Sequence, residues 1–535
     1  MSDAGGGGAE PGDSGGQKNR WAIALSVTMA AFMEVLDTTI VNVALPHIAG
    51  SLSVSNDDAT WALTTYLVAN GVVLTISGSL SRLIGRKRFL VICIVVFTIS
   101  SFGCGISTSF VELLLFRAVQ GFFGGGLQPL QQAIVLDAFP PEKRSQAFSI
   151  TAIAIVVAPV LGPLVGGLLT DNYSWHLIFL INVPIGVFVT LAVIQFVEDT
   201  EAARKEQETA PPFDYIGAIF IFLALGCLQI AVDRGEDYDW LGSEFIRILL
   251  GTSMLSFIFG SMYLLYVKNP AVDLRVLKDK NFAFAFVQMG ILGLVLYSSA
   301  VIIPLFAQQQ LGYTATLAGM VLVPGALVLM FFIPLVGRAM DFMPPKYLIA
   351  IGGLVLGGSL FYSMHIVPQE DFFDMVVIRS AQTVGLSFLF VPISTVAYVT
   401  LAHEQQGSAA ALFSMSRNIF GGLGISLSTA LVTSRSQVHQ SYLVDHLTST
   451  NAYQLLLAQV GRALANHGTP FAKAMMEAPN NVYQMLQSQE AVLAYIDVFW
   501  YTGLLALVLI PTALLMSSKS QGNSEGESQG GAKQA

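Results

Sequence analysis

Two acidic side chains, Glu34 and Asp37, lie deep inside the first long apolar stretch of the sequence, which runs from Trp21 to Leu45. A stretch of this length can cross a bilayer, which takes roughly 20 residues of helix. A carboxylate at the centre of a bilayer costs about 2.5–3.5 kcal/mol, so it needs a counter-ion, a proton or a water-filled cavity. Residues three apart share one face of a helix, so we expect both acids to face the protein interior. The chemistry that they could perform is the uptake and release of protons.

A cation in another apolar run, Arg117 in LLLFRAVQGFFGGG, is a candidate partner for Asp37. Counted along each helix at 1.5 Å per residue, both side chains lie roughly 10–12 Å below the same edge of the apolar layer. A nearby cation favours the ionised carboxylate, whereas burial favours the protonated acid. A pair balanced between these effects could change its protonation when a cavity opens to the other side. The alternative is a static ion pair that locks two helices together.

Three further charges in apolar stretches leave two interpretations open. Glu34 is either a second proton site or a bystander that reaches an aqueous cavity. Arg417 and Asp497 are either participants in proton movement or groups that hold helices together.

Motifs of enzymes and ATP-driven pumps are absent from the sequence. There is no GxxxxGK[ST] phosphate loop, no HExxH metal spacing and no GxSxG nucleophile elbow. We therefore predict no enzymatic activity, no metal and no cofactor, with protons as the coupling ion. No surface for nucleic acid is visible.

The elements that must position these side chains are apolar helices. Hydrophobic residues make up 54% of the chain, charged residues 11%, and the mean hydropathy is +0.65, which indicates a protein that lies mostly in a membrane. About fourteen stretches are long enough to span a bilayer. They cover residues 21–45, 59–80, 88–107, 110–132, 146–170, 175–197, 214–234, 244–267, 282–305, 314–336, 346–366, 373–400, 408–432 and 490–515. We expect an all-α polytopic membrane protein.

Lysine and arginine occur in the loops after the second, fourth, sixth, eighth and tenth stretches, whereas the short loops 46–58, 171–174, 306–313 and 367–372 contain neither. By the positive-inside rule, both termini are expected on the cytoplasmic side. The predicted divisions are a disordered tail (1–20), an N-terminal six-helix bundle (21–197), a charged linker (198–213), two inserted helices (214–267), a C-terminal six-helix bundle (282–515) with an outward loop (433–489), and a disordered tail (516–535).

Two segments are rich in helix-bending or turn-forming residues. APVLGPLVGG (158–167) places Pro159, Gly162, Pro163, Gly166 and Gly167 in one span. Small residues four apart permit close helix packing, and the prolines bend the helix, which could also seal one side of a moving cavity. GSLSRLIGRKR (78–88) is either a simple basic anchor at the membrane surface or a tight turn that latches helix ends in one state.

Several of these motifs occur in the same order in a known family. LDTTIVNVALP (36–46), RAVQGFFGGG (117–126), APVLGPLVGG and WHLIFLINVPIG (175–186) resemble the signatures of major facilitator drug:proton antiporters with fourteen spans. LGYTATLAG (311–319) and the long polar segment before the last span are most similar to EmrB-type multidrug exporters. The resemblance covers nearly the whole chain and implies two six-helix bundles with two extra helices between them.

The resemblance also implies roles for individual residues. Asp37 matches the first-span acid thought to bind protons, and Arg117 matches the fourth-span arginine associated with proton transfer. Residues 162–167 match the fifth-span antiporter motif. In the loop after span two, Gly78, Gly85 and Arg86 match the family's gating loop, but Arg82 stands at its usual acidic position. Glu34 is a second departure from the family pattern.

The function implied is the proton-driven export of amphiphilic, hydrophobic toxic compounds across the inner membrane by alternating access. EmrB-type pumps work with an EmrA-type periplasmic adaptor and a TolC-type outer-membrane channel. The segment 433–489 is therefore expected either to contact such an adaptor or to form a lid or exit wall. The alternatives are a proton symporter that imports a nutrient, against which the antiporter-like span five argues, and a membrane sensor or scaffold that does not transport.

Overall fold

The computed structural model describes residues 14–140, 143–199, 201–401, 405–445, 451–466 and 470–516. Within these ranges the regular structure is helical. Most of the two tails predicted to be disordered, residues 1–13 and 517–535, lies outside the described residues. The first helix begins at Ser14, before the predicted start of the span at Trp21.

The helices fall into four groups along the chain. The N-terminal group is α1 (Ser14–Leu52), α2 (Asn56–Ala59), α3 (Trp61–Ile84), α4 (Arg86–Gly105), α5 (Phe110–Gly124), α6 (Leu127–Ala138), α7 (Arg144–Asn172), α8 (Leu177–Leu180) and α9 (Asn182–Phe196). The predicted linker contains α10 (Glu201–Glu208), and the inserted pair is α11 (Tyr215–Arg234) and α12 (Glu244–Tyr266). The C-terminal group is α13 (Lys280–Gln309), α14 (Ala315–Ala339), α15 (Pro345–Tyr362), α16 (Phe372–Ser387), α17 (Phe390–Ala397), α18 (Gln406–Val444), α19 (Asn451–Asn466) and α20 (Phe471–Leu514).

Thirteen helical segments of the described chain are long and apolar enough to cross a membrane. The pairs α5–α6, α8–α9 and α16–α17 each form one such segment. The predicted span 408–432 lies in α18, a longer helix with a more polar sequence. The fold is thus the polytopic helical architecture that the hydropathy pattern predicts.

The segment 433–489, predicted as an outward loop with helix-like runs such as NAYQLLLAQVGRALANH, is helical over most of its length. It comprises the last part of α18, the whole of α19 and the first part of α20, and α19 packs along α20. Apolar residues at helical spacing in α19 allow it to bury one face against a neighbour.

The inserted helices lie beside the interface between the two groups. In the N-terminal group α1 packs against α6, α7 and α9, and in the C-terminal group α13 packs against α18. The inserted helix α11 contacts α3 of the first group and α18 of the second, while α12 packs mainly on α11. The insertion therefore covers one side of the boundary between the halves.

The two halves touch at both ends of the helices. We call the end with the start of α1 and the end of α20 the terminus face, and the opposite end the far face. At the far face, Thr316 of α14 donates to Asp171 of α7 (3.0 Å). At the terminus face, Tyr398 donates to Gln132 of α6 (3.0 Å). The central space between the halves is thus bounded by contacts on either side.

Candidate functional site

Asp37 and Arg117 form an ion pair that is completely buried, as their matched depth predicts. The Arg117 Nη1 lies 2.6 Å from Asp37 Oδ2, and neither side chain is exposed. The α5 helix that carries Arg117 starts at a capping box, in which Ser109 and Glu112 bond each other's backbone N–H. The capping box satisfies two of the backbone N–H groups that have no partner within the helix at its start. It therefore fixes where α5 begins and, with that, the depth of Arg117 in the membrane.

Four further contacts hold the ion pair. Gln120 and Asn182 donate to Asp37 Oδ1 at 2.9 and 2.8 Å, and both amides also donate to Ser101 Oγ. The Arg117 guanidinium lies 4.1 Å from the centre of the Tyr66 ring, and its Nε donates to a backbone carbonyl (3.0 Å). Three donors on one carboxylate offset much of the cost of burying its charge. In this conformation the Asp37 carboxyl group is therefore enclosed by hydrogen-bond donors and does not line the cavity.

Glu34, one helical turn from Asp37, borders the central cavity. Asn70 donates to its Oε1 (2.9 Å) and Gln128 donates to its Oε2. The cavity offers about 50 Å³ of space to the centres of water-sized molecules. Its walls come from α1, α3, α6, α11, α13 and α18, and they include the polar side chains of Gln229, Tyr297 and Asn418. Of the two predicted acids, Glu34 is thus the one placed beside the space between the halves.

Arg417 lies across the interface from Glu34, within electrostatic range of its carboxylate. Its guanidinium is fully buried, stands 5.6 Å from the centre of the Phe390 ring, and has Tyr297 as a neighbour. The structure therefore brings a cation of the C-terminal half close to the acid of the N-terminal half. Its participation in proton movement stays a prediction.

Asp497 lies apart from this cluster. It accepts hydrogen bonds from Arg435 Nε (2.5 Å) and His439 Nε2 (2.9 Å), both on α18, and its side chain is 25% exposed. Its contacts join α20 to α18, which is the arrangement of a group that holds two helices together.

The glycines of α7 allow an unusually close approach to α1 next to Asp37. A Cβ on Gly162 would lie 2.1 Å from Thr39 Oγ1 and 3.0 Å from Ile40 N, and one on Gly166 would lie 2.9 Å from Ile40 O. On the other side of α7, Gly319 of α14 packs against the backbone at Pro163. Pro159 also stands in this helix, as does Gly167. The α7 helix is therefore wedged between the acid-bearing helix and the C-terminal half.

The predicted gating loop is a one-residue turn between α3 and α4. Gly85 has φ +93°, a conformation that favours glycine, and ends α3. Arg86 forms an ion pair with Asp137 at the end of α6, and Arg82 donates to Ser79 (3.1 Å). Gly78 faces α18, since a Cβ there would lie 3.2 Å from Gly407 O. The segment thus ties helices of the N-terminal half together and meets the C-terminal half at the terminus face.

A second copy of the Arg117 arrangement, in the C-terminal half, was missed from the sequence. Arg379 is fully buried and donates to Ser299 (2.8 Å), and Gln382 donates to Ser363 (3.0 Å). In each half 80 residues separate the arginine from its partner on α1 or α13, and 19 separate the glutamine from its serine. The sequence pattern RxxQ, which occurs in one apolar run of each half, could have indicated this repeat. The acid has no counterpart, because Ser299 stands where Asp37 does.

A half-buried acid on the inserted helix was also missed. Asp233 Oδ1 accepts from Gln229 Nε2 (2.9 Å) and from Ser426 Oγ of α18 (2.5 Å). It lies at the end of the predicted span 214–234, directly before RGEDYD, and was not singled out as a site residue. Its contacts show that α11 is bonded to the C-terminal half.

Comparison with known proteins agrees with this architecture. Residues 27–434 match the model of the Major Facilitator Superfamily. The chain is 32% identical to the multidrug export protein EmrB of Haemophilus influenzae, over 91% of this chain and 94% of that protein. It is 30% identical to EmrB of Escherichia coli K12 (91% and 93%) and 32% identical to the fatty acid resistance protein FarB of Neisseria gonorrhoeae (92% and 95%).

Solved structures show the same fold at low sequence identity. A bacterial homolog of the human lysosomal transporter Spinster, inward-facing and occupied, has a TM-score of 0.54 at 16% identity, covering 95% of this chain and 97% of that one. The human organic anion transporter MFSD10 has a TM-score of 0.54 at 12% identity, covering 91% and 99%. The chain therefore belongs to the Major Facilitator Superfamily, among its EmrB-type exporters, and is a secondary transporter rather than an enzyme.

Proposed function

We propose that this protein exports amphiphilic, hydrophobic compounds in exchange for protons, and that Asp37, Arg117 and Glu34 couple the two movements. The observation that supports this most is the placement of two acids on one helix, one sealed in an ion pair and one beside the cavity between the halves. The relatives named for multidrug export support the direction of transport.

The proton path follows from the difference between the two acids. Glu34 borders the cavity, so a proton that arrives there meets it first. Protonation of Glu34 removes its attraction for Arg417 on the opposite half. Asp37 exchanges a proton only when its bonds to Arg117, Gln120 and Asn182 open, which requires a movement of α1 against α5 and α9. A change in charge is thereby linked to a change in helix packing.

The α7 helix, which packs between α1 and α14, would transmit this movement to the C-terminal half. Because Gly162 and Gly166 bring the α7 backbone against Thr39 and Ile40, a shift of α1 at Asp37 displaces α7 directly. The displacement reaches the C-terminal half where Gly319 packs on α7. Each proton contributes about 2.3 kcal/mol per 100 mV, which corresponds to roughly a 50-fold accumulation of solute.

Orientation, localisation and partners belong to the same proposal. The terminus face carries the basic residues around Arg86 and would be cytoplasmic, with the protein in the inner membrane. At the far face, α18 and α20 continue about 18 Å and 28 Å beyond the predicted spans, at 1.5 Å per residue. With α19 they expose apolar side chains such as Met476, which is 82% exposed. We assign this extension to contact with an EmrA-type adaptor that leads to a TolC-type channel.

Dye transport in proteoliposomes tests the function. Purified protein is reconstituted and an acidic interior is imposed, with one cationic, one neutral and one weakly acidic fluorescent dye outside. An antiporter lets protons leave while dye enters, so dye accumulates in the acidic interior. A symporter would carry dye outward with the protons, so dye supplied outside would not accumulate. We expect accumulation that a protonophore abolishes, and we expect Asp37→Asn to reduce it to the rate of protein-free liposomes.

A matched acid elsewhere in the chain serves as the control. Asp497→Asn makes the same chemical change in a helix-joining ion pair and should retain transport. Folding of each variant is checked by gel filtration and thermal unfolding. If folded Asp37→Asn still drives pH-dependent accumulation, the coupling role of Asp37 is wrong; if the wild type moves none of the three dyes, the export function is wrong.

A further inference from the structure

A second cavity, with about 60 Å³ of space for the centres of water-sized molecules, lies beside the central one and is built largely by the inserted helices. We call it the side chamber. Its walls come from α3, α11, α12, the segment before α13, and α18, and are mostly apolar. They include Thr75, Phe220, Ile221, Ala224, Leu225, Ser256, Phe257, Gly260, Ser261, Leu264, Val272, Leu274, Leu412 and Met415.

One side chain, Leu225 of α11, lines both cavities. Phe220, Ile221 and Ala224 of α11 line the side chamber, and Leu228 and Gln229 line the central cavity. Leu225 thus stands at the partition between an apolar space and a space with a carboxylate and amides on its walls. A leucine at such a point can change rotamer with little movement of the backbone.

The side chamber is closed toward the terminus face and open toward the membrane. Asp214 accepts from the backbone N–H groups of Gly217 and Ala271 and from the Tyr263 hydroxyl, at 2.9–3.0 Å. These bonds fasten the start of α11 to the segment that ends the chamber at Val272. Phe257, which lines the chamber on α12, is 63% exposed on the lipid-facing surface. Access is therefore lateral, from the hydrocarbon of the bilayer.

We propose that the side chamber binds the apolar tail of the transported amphiphile, which enters from the membrane between α12 and α18, while its polar head occupies the central cavity next to Glu34, Asn70 and Gln128. The inference rests on the proposed export function and names a substrate class for it: compounds with one polar end and one extended apolar tail. Leu225 is the residue that determines the length of tail accepted. The inserted helices thereby form part of the binding site.

Binding of a graded series of probes tests this assignment. Dansyl-labelled n-alkylamines with tails of four, eight and twelve carbons are titrated into the purified protein in nanodiscs, with direct excitation of the dansyl group and empty nanodiscs as the blank. Leu225→Trp narrows the connection, and Ser256→Leu fills the chamber from the opposite helix α12. Ile219→Trp is the matched control, since Ile219 lies on the exposed face of α11 and lines neither cavity.

In both chamber variants we expect the twelve-carbon probe to lose at least about tenfold more affinity, relative to the wild type, than the four-carbon probe loses, since each buried methylene contributes about fourfold in affinity. Ile219→Trp should match the wild type at every tail length. Two chamber variants are used so that a folding defect in one, seen by thermal unfolding, leaves the other informative.

If both folded variants bind the twelve-carbon probe like the wild type, the proposal is overturned. The side chamber then holds a bilayer lipid or remains empty, and it does not bind the tail of the substrate. This outcome differs from a failure of the export function. The binding assay needs no proton gradient, so loss of export would appear as an absence of dye transport by the wild type, with its tail-length dependence of binding intact.

Discussion

The stability of the Asp37–Arg117 pair can be measured with a double-mutant cycle. Removing one partner of a buried ion pair leaves an uncompensated charge and costs about 3–5 kcal/mol. Arg117→Met also removes the hydrogen bond to a backbone carbonyl and the contact with Tyr66, which together contribute about 2–4 kcal/mol. We expect Asp37→Asn alone to lower the free energy of unfolding by about 3 kcal/mol and Arg117→Met alone by about 5 kcal/mol.

The double variant should be more stable than the sum of the single changes predicts. With both charges removed, the loss that remains is that of the Ala62 and Tyr66 contacts, so the coupling energy should be at least about 3 kcal/mol. Equilibrium unfolding of the purified protein in mixed micelles, at one fixed pH, gives the four free energies. The same cycle on Asp497→Asn and Arg435→Met, a pair that is partly exposed, should give a coupling below about 1 kcal/mol. Additive effects at Asp37 and Arg117 would refute the view that these groups stabilise each other's buried charge.

Two other changes test the contacts that surround the site. Gly162→Ala places a methyl group 2.1 Å from Thr39 Oγ1, so α7 must move away from α1. We expect a loss of stability of about 1–3 kcal/mol and slower dye transport. The control Gly358→Ala, which has open space around it, should change neither the stability nor the transport rate. Asp233→Ala removes the acceptor for Ser426 and Gln229, and thermal unfolding should show a loss of about 1–3 kcal/mol. An unchanged unfolding temperature would mean that α11 is held to α18 by apolar packing alone.

The parts of the site that sequence reasoning could predict depend on position along a helix. The apolar stretches fix which residues lie in the membrane, and counting residues from the end of a stretch places Asp37 and Arg117 at one depth. Because the two side chains lie at the same depth, the sequence could predict that they form an ion pair. Helical spacing puts Glu34 on roughly the same face, but the angle between neighbouring residues decides which acid meets the cavity. That angle depends on how α1 packs against α3 and α6, which the sequence does not state.

Apart from Arg379, the residues that were missed are uncharged or lie at the edge of an apolar stretch. Gln120, Asn182 and Ser101 complete the Asp37 site, yet single amides and hydroxyls are common in transmembrane helices and carry no charge to draw notice. Asp233 stands at the end of the predicted span 214–234, next to a run of charged residues, so its bond to α18 was not foreseen. In the segment 433–489 the sequence predicts helix-like runs, but not that α19 packs along α20.

The two halves share a polar frame but not a charge. Arginine, glutamine and serine recur at equal spacing in both, while a hydroxyl in the second half stands in the position of the acid in the first. On the proposed mechanism, gain or loss of a proton at Asp37 would therefore act on the N-terminal bundle, and the C-terminal bundle would respond through the contact between Gly319 and α7.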